Sequence, residues 1–300
     1  MHKHSHLSLS WVVPSLGITP QLNDLIGIAC LFAISNNILI EFILVLPPCS
    51  SFYKYFDITN NEYFQLRCLR SPIKGQTFQR FFGIRQAKHC TIILSDDDIS
   101  ISSETLYNVI QSKITLGENS SIGLPIRDFT PTSRELIYPD IVLSYYPFSC
   151  QLRKFLLGTN SIGLGEQTDI CIGTSFVNIK ESPYNVFWLP GAFSIHTKQS
   201  LLSIPQYKWA NKAYGEDYFH SFFLSEMGLK LYILKDPLPV VLTFSSNVPI
   251  TQRFRTFIRY YSRSIQISLY LKGPVSVVKV SIYFTLLFFR MLYCYIIKAL

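Results

Sequence analysis

The feature that most constrains the fold is a short apolar run that ends at three consecutive carboxylates, Thr91-Ile92-Ile93-Leu94-Ser95-Asp96-Asp97-Asp98. The β-branched residues at its start predict a short buried strand. Adjacent carboxylates repel one another near a core unless positive charge is supplied, most simply by a divalent cation. A strand that ends in Asp-x-Asp is therefore typical of a site that holds a metal and a diphosphate. A solvated acidic turn is the alternative.

Predicted strands and helices alternate through the first hundred residues. The predicted elements are strands over 11–15, 40–46 and 65–69 and helices over 19–34 and 77–87. Thr19 is a good N-cap, and Pro20 suits the first helical position. The alternation predicts an α/β fold with a mainly parallel sheet, in which ligands bind beyond the carboxyl ends of the strands. We expect Pro14, Ser15 and the aspartates at 96–98 at that edge.

Composition narrows the class of protein. The chain has 300 residues, of which 48% are hydrophobic and 15% are charged, and this excludes a disordered chain. The net charge of +8 favours an anionic ligand or surface, and no nucleic-acid-binding motif is present. The seven cysteines are dispersed without a CxxC pair, which indicates reduced thiols in a cytosolic compartment. No signal peptide is recognised at the start of the sequence.

Two segments of the second half carry candidate functional residues. Residues 187–195 predict a strand broken at Pro190-Gly191, and the small residues Gly191 and Ala192 would let a ligand approach the backbone closely. Glu216 and Asp217 fall in the first turn of a predicted helix, where the helix dipole favours carboxylates. Acids that only stabilise the helix end are the alternative. Between these segments and the first sheet, residues 117–183 are rich in turn residues and predict loops and short strands that shape an acceptor pocket.

The last fifty residues form a distinct basic and hydrophobic region. Residues 251–272 predict a basic, aromatic helix, and residues 275–300 are apolar but interrupted by Lys279, Arg290 and Lys298. The uncharged run is shorter than the roughly 20 residues that a spanning helix needs. A helix that lies in the membrane interface fits better, and a hairpin buried against the domain is the alternative. This pattern predicts a protein peripheral on the cytosolic face of a membrane.

Four segments together resemble the inverting family 2 glycosyltransferases. Residues 71–84 resemble the family segment that precedes the Asp-x-Asp strand, and residues 91–98 resemble that strand. Residues 190–193 resemble its small-residue acceptor segment, and residues 215–231 resemble its Gly-Glu-Asp helix. The resemblance implies a GT-A, Rossmann-like α/β fold, a mainly parallel sheet flanked by helices with a C-terminal hydrophobic helical tail. It implies a transferase domain over 1–250, with a nucleotide-sugar part over 8–115 and an acceptor part over 116–250, followed by the tail at 251–300.

The resemblance also assigns roles to individual residues. Asp96 and Asp98 would bind Mg²⁺ or Mn²⁺, and Asp217 would be the general base that deprotonates the acceptor hydroxyl, with Glu216 as a second candidate catalytic residue. The residues implied to contact the nucleotide-sugar donor, a UDP-sugar by expectation, are Pro14, Ser15, Arg80, Asp96, Asp97, Gly191 and Ala192. A glycan or lipid-linked molecule would be the acceptor, and the membrane surface is an expected partner.

Three positions depart from the family pattern. Leu46-Pro47-Pro48 replaces an acidic pair that holds the nucleobase, and residues 222–225 carry no basic residue. No histidine follows the closing strands predicted at 229–234 and 240–244; His220 or His196 could replace it, but a structural role is the commoner one for such histidines. A non-catalytic relative that binds a nucleotide sugar or glycan is the alternative function, and a nucleotidyltransferase is a weaker one.

Overall fold

The structure is a computed structural model that describes part of the chain. The described residues are 7–50, 60–124, 126–128, 182–186, 188–205, 216–234 and 240–242, together with helical positions between 258 and 289, the longest run of which is 281–286. The predicted acceptor loops at 129–181, Gly215 and most of the predicted tail lie outside the described residues. Among the residues of the tail that are described, Phe284 is buried, and its ring lies 5.2 Å from that of Tyr261.

The described segments form eleven strands and five helices. The strands are β1 (Ser8–Pro14), β2 (Leu39–Leu46), β3 (Phe64–Arg70), β4 (Thr91–Ser95), β5 (Ile99–Ser100), β6 (Ser120–Gly123), β7 (Ile126–Asp128), β8 (Tyr184–Val186), β9 (Phe193–Thr197), β10 (Lys230–Ile233) and β11 (Val240–Leu242). The helices are α1 (Pro20–Asn36), α2 (Gln76–Gln86), α3 (Ser103–Leu116), α4 (Lys198–Leu202) and α5 (Glu216–Glu226).

Eight strands form one central sheet in the order β3-β2-β1-β4-β9-β6-β10-β8. Strands β8 and β9 run antiparallel to their neighbours, and the other neighbours in the sheet pair in parallel. A second, small sheet has the order β5-β11-β7 and begins directly after the three aspartates. The mainly parallel sheet flanked by helices is therefore confirmed as the fold class.

The order of the first four strands creates a crevice between β1 and β4. The chain moves from β1 outward to β2 and β3, and then crosses back to place β4 on the other side of β1. Right-handed crossover connections therefore put α1 and α2 on opposite faces of the sheet. Since the strand order reverses between β1 and β4, the carboxyl ends of these two strands form the topological switch point at which such sheets bind ligands.

Most predicted element boundaries are confirmed to within a few residues. Thr19 caps α1 by accepting a hydrogen bond from Leu22 N at 3.1 Å, and Pro20 is the first helical residue. Strand β4 extends one residue past the predicted run, and α5 begins at Glu216 as predicted. Among the described residues of the strand predicted over 187–195, β9 starts only at Phe193, because residues 188–190 are irregular and residues 191–192 form a turn.

The packing of α2 against the sheet depends on a glycine. An added Cβ at Gly83 would lie 2.4 Å from Val12 Cγ1 and 2.8 Å from Val45 Cγ2, both on buried strands. We predict that Gly83→Ala lowers the free energy of unfolding by about 1–3 kcal/mol, because the stiff valine side chains cannot move away. Gly27→Ala in α1 is the matched control, since nothing lies within 4 Å of its Cβ position. Chemical denaturation should show the control unchanged or stabilised, and equal losses in both variants would contradict the packing explanation.

A buried carboxylate lies inside β2, in the half of the sheet away from the switch point. Glu41 is 1% exposed and accepts hydrogen bonds from Ser10 Oγ at 2.6 Å and Lys88 N at 2.8 Å, and it forms an ion pair with Arg67. Burial alone raises the pKa of Glu41, but these hydrogen bonds and the charge of Arg67 outweigh burial and lower the pKa. This cluster joins β1, β2, β3 and the segment before β4.

Candidate active site

The candidate site lies at the carboxyl ends of β1 and β4, where the two strands face the switch point. Pro14 is the last residue of β1 and pairs with Val45, and Ser15 follows it as a buried residue. The Ser15 hydroxyl donates a hydrogen bond to Asp97 Oδ2 across the switch point. Gln79 in α2 fixes the same edge, since its side-chain amide donates to Ser15 O at 2.8 Å and to Val45 O at 2.6 Å. The structure therefore brings together the candidate nucleotide residues from β1 and the acidic end of β4.

Arg80 is the centre of the charged network in the site. Its guanidinium group is 4% exposed and lies between two carboxylates, with Nη2 at 2.6 Å from Asp96 Oδ1 and Nη1 at 3.2 Å from Glu216 Oε1. Gln76 also donates to Asp96 Oδ1, at 2.7 Å. In the structure Arg80 pairs with carboxylates that follow β4 and begin α5, and the contact with the donor diphosphate that the resemblance implied stays a prediction.

The segment before β9 completes the wall of the site. Ala192 O accepts a hydrogen bond from Asp96 N at 3.0 Å, and Gly191 O lies 3.4 Å from Arg80 Nη2. An added Cβ at Gly191 would lie 3.4 Å from the Cβ of Asp217. A side chain at position 191 would therefore lie in van der Waals contact with Asp217.

Asp217 is positioned by the first turn of α5. Ser221 Oγ donates to Asp217 O at 2.7 Å, and Leu189 N donates to Ser221 Oγ at 2.8 Å, so one hydroxyl ties α5 to the segment that carries Gly191. The predicted location of Glu216 and Asp217 at a helix start is confirmed. The two carboxylates are in different environments, because Glu216 is 1% exposed and Asp217 is partly exposed.

The acidic turn at 96–98 concentrates negative charge. Burial, followed by the charges of Asp98, Glu216 and Asp97, raises the pKa of Asp96 to about 7, although the Arg80 charge acts in the opposite direction. Burial and the charge of Asp97 also raise the pKa of Asp98. Carboxylates that repel one another in this way favour the binding of a cation.

The described residues supply too few ligands to hold a metal without further donors. No group of three or more His, Cys, Asp or Glu side chains in the described segments is arranged to hold a metal ion. Asp98 is exposed, and Asp96 is three-quarters buried and bound to Arg80 through one oxygen. Mg²⁺ is commonly bound by one or two carboxylates together with substrate phosphates. The hard oxygen ligands of the acidic turn fit that mode of binding.

The two candidate histidines have different surroundings. His196 is buried in β9, and its ring nitrogens bond to Ser121 Oγ at 3.0 Å and Ser194 Oγ at 2.7 Å. Burial lowers the pKa of His196 well below its usual value, so it is a neutral, structural residue. His220 Nε2 lies 3.8 Å from Glu216 Oε1, one helical turn along α5.

Sequence reasoning missed several residues that support the site. They are Gln76, Thr77, Gln79 and Ser221, whose side chains bond to Asp96, Glu216, the ends of β1 and β2, and Asp217 O. Three of them lie within four residues of Arg80 on the first turns of α2, and Ser221 lies one turn after Asp217. Polar residues next to a candidate residue, or one turn away from it on the same helix, were the available signal.

Comparison with known proteins establishes the fold. No model of a known protein family matches the sequence, and no curated protein matches it significantly. A crystal structure of a mycobacterial protein superposes with a TM-score of 0.51 at 13% identity, covering 87% of this chain and 72% of that protein. At this identity the likeness concerns the fold alone.

Crystal structures of S. aureus TarS are also similar to this chain. One superposes with a TM-score of 0.49 at 13% identity over 87% of this chain, which spans only 42% of that structure. A structure of TarS 1–349 in complex with UDP-GlcNAc has a TM-score of 0.49 at 13% identity, covering 91% of this chain and 69% of that one.

Proposed function

We propose that the protein is an inverting glycosyltransferase that moves a sugar from a nucleotide-sugar donor to a glycan or lipid-linked acceptor. The observation that supports this proposal is the convergence of the acidic turn after β4, the glycine at 191 and Asp217 on one edge of the sheet. A glycosyl transfer needs a cation or cationic group for the departing diphosphate, space for two substrates, and a base beside the acceptor.

The donor nucleotide is proposed to bind over the crevice between β1 and β4. Pro14 and Ser15 lie at the end of β1, and the hydroxyl of Ser15 bonds to Asp97 on the opposite side of the crevice. Doubly wound sheets bind nucleotides at this position. The base and ribose would therefore lie on Ser15 and its neighbours, with the diphosphate directed toward Asp96 and Asp98.

Asp96 and Asp98 are proposed to hold Mg²⁺ or Mn²⁺ against the donor diphosphate. The cation would neutralise the negative charge that develops on the diphosphate as it leaves. The contribution of the chain is to present the two carboxylates, and Arg80 and Gln76 fix the orientation of Asp96. UDP is the nucleoside diphosphate that we expect.

Asp217 is proposed to be the general base. In the transfer, its carboxylate takes the proton from the acceptor hydroxyl while the hydroxyl oxygen forms a bond to the anomeric carbon. The bond from that carbon to the diphosphate breaks on the opposite face, and this inverts the configuration. The space beside Gly191 is where the acceptor would enter, because a Cβ there would contact Asp217.

The acceptor class and the location of the protein are proposed from the basic and hydrophobic residues at 251–300. These residues would hold the domain at the cytosolic face of a membrane, close to a lipid-linked acceptor. Within the described part of the chain, no helix is both long and apolar enough to cross a bilayer. We expect association through an interfacial helix in residues 251–300, and vesicle sedimentation of the full chain against a chain truncated after residue 250 would test it.

Calorimetric titration of UDP-sugars in the presence of Mn²⁺ tests the donor site. Asp98→Asn should weaken Mn²⁺-dependent donor binding at least about 100-fold, because even residues that only support metal ligands contribute 10- to 100-fold. Asp24→Asn, at an exposed position of α1, is the matched control, and we expect it to bind the donor as the wild type does. Equal Mn²⁺-dependent donor affinities for Asp98→Asn and Asp24→Asn would show that Asp98 is not a metal ligand.

A non-catalytic protein that binds a nucleotide sugar or glycan is the second candidate. It is favoured by the end of β2, where Leu46 is buried and is followed by two prolines instead of an acidic pair. Donor binding in the titration without any transfer to an acceptor would favour this candidate.

A further inference from the structure

We propose that Glu216 is a positioning residue that orients Asp96 through Arg80, and so links the first turn of α5 to the metal-binding end of β4. This inference rests on the proposed function, in which Asp96 serves as a metal ligand and Asp217 as the base. It also reassigns Glu216, which the sequence marks as a second candidate catalytic residue, to a role without direct substrate contact.

The burial of Glu216 is the first step in the inference. Its side chain is 1% exposed, although it directly precedes the partly exposed Asp217. Thr77 Oγ1 donates to Glu216 Oε2 at 3.0 Å, and the other oxygen, Oε1, lies 3.2 Å from Arg80 Nη1 and 3.8 Å from His220 Nε2. Both carboxylate oxygens are therefore directed into the protein, away from an acceptor.

Glu216 is ionised in this environment. Burial alone raises the pKa of Glu216, but the charge of Arg80, that of His220 when it is protonated, and the hydrogen bond from Thr77 outweigh burial and lower the pKa. An ionised carboxylate gives Arg80 a fixed partner at one end of its planar fork. The other end of the fork is then directed at Asp96 Oδ1, which lies 2.6 Å from Nη2.

The network of Glu216, Arg80 and Asp96 connects three elements of the site whose relative positions must stay fixed. Asp96 lies at the end of β4, Arg80 in α2 and Glu216 in α5, and Thr77 and Glu216 are 139 residues apart in sequence. The carbonyl oxygen of Gly191 lies 3.4 Å from Arg80 Nη2. A buried ion pair contributes little to stability compared with well-packed apolar residues of the same volume. Glu216 and Arg80 are instead expected to fix the orientation of the Asp96 carboxylate. Residues that hydrogen-bond to metal ligands orient those ligands in the same way.

The first test is a structure of the metal-free variant Glu216→Gln. Without the negative charge on residue 216, the Arg80 guanidinium group should move away from that residue and toward Asp96, and the Asp96 carboxylate should take a changed orientation. An Asp96 carboxylate in its present orientation would overturn the proposal. This result does not depend on any activity of the protein, so it separates failure of the positioning role from failure of the proposed transfer reaction.

The second test is Mn²⁺ binding in the presence of UDP, measured from the electron paramagnetic resonance signal of free Mn²⁺. We expect Glu216→Gln to raise the Mn²⁺ dissociation constant about 10- to 100-fold, with no change in acceptor KM. Glu41→Gln is the matched control, because it also removes a buried carboxylate but at the other end of the strands. An unchanged Mn²⁺ constant in Glu216→Gln, or an equal rise in Glu41→Gln, would overturn the positioning role.

Thr77→Val keeps the test decisive if Glu216→Gln does not fold. Removal of the Thr77 hydroxyl takes away the hydrogen bond to Glu216 Oε2 but leaves every charge in place. A smaller rise in the Mn²⁺ constant in the same direction is expected, and no change would contradict the proposal. If the wild type binds no Mn²⁺ with UDP while the Asp96 carboxylate takes a changed orientation in Glu216→Gln, the positioning of Asp96 stands and the proposed metal site fails.

Discussion

Asp217→Asn should lower kcat about 10²- to 10⁴-fold, the range that a general base contributes to proton transfer. The substitution keeps the size and hydrogen-bonding reach of the side chain but removes its ability to take the acceptor proton. Since Asp217 lies beside Gly191 and is not one of the proposed metal ligands of the acidic turn, donor binding should not change. Steady-state transfer assays and donor calorimetry measure the two quantities separately.

Glu226→Gln is the matched control for this prediction. It removes an exposed carboxylate from the last residue of the same helix, far from Gly191 along α5. We expect its kcat and thermal stability to equal those of the wild type. Full turnover by Asp217→Asn would mean that another group takes the acceptor proton, and weakened donor binding in that variant would place Asp217 in the donor site instead.

Arg67→Met should lower the free energy of unfolding at pH 7 by about 3 kcal/mol, the cost of leaving a buried charge without its partner. Glu41 is 1% exposed and would keep only its hydrogen bonds from Ser10 and Lys88 N and a distant amine, Lys88 Nζ, at 3.9 Å. Urea denaturation of the wild type and the variant measures the loss. Lys88→Met is the control, because that amine is 56% exposed and such pairs contribute below about 1 kcal/mol.

The same variant has a defined pH dependence. The pKa of Glu41 is lower in the folded chain than its usual value of 4.5. Stability from this carboxylate is therefore present above pH 4.5 and is lost as the pH falls through the folded pKa. The difference between wild type and Arg67→Met should narrow below pH 4.5, because a protonated Glu41 no longer needs Arg67. A difference that stays constant from pH 7 to pH 3 would show that Arg67 stabilises the fold by packing.

The strands and helices of the central sheet could be predicted because each is determined largely by residues that are close together in sequence. The cap at Thr19 and the proline after it defined the start of α1, and the β-branched run before Asp96 defined β4. The alternation of strands and helices predicted that ligands bind at the carboxyl ends of the strands. Right-handed crossover connections allow only a few strand orders for such a chain. The location of Ser15 beside the acidic turn is a consequence of that topology.

The charged networks could not be predicted in the same way. Glu41 lies within an apolar run, and its partners Ser10, Arg67 and Lys88 come from three other segments. The pairing of Glu216 with Arg80 joins two helices that are far apart in sequence. The spacing of residues in one segment does not predict such contacts, because each contact depends on the order of the strands in the whole sheet. For the same reason, the sequence did not predict that Arg80 pairs with two carboxylates, and its contact with the donor diphosphate stays a prediction.

Release of nucleoside diphosphate from a panel of UDP-, GDP- and dTDP-sugars tests the proposed transfer reaction most directly. The purified full chain would be incubated with Mn²⁺ and each donor, with and without EDTA, and with Asp217→Asn in parallel. We predict release from one donor, abolished by EDTA and strongly reduced in Asp217→Asn when a glycan acceptor is present. Absence of release from every donor, from a protein that binds UDP and Mn²⁺, would contradict the transferase and leave a nucleotide-sugar-binding protein.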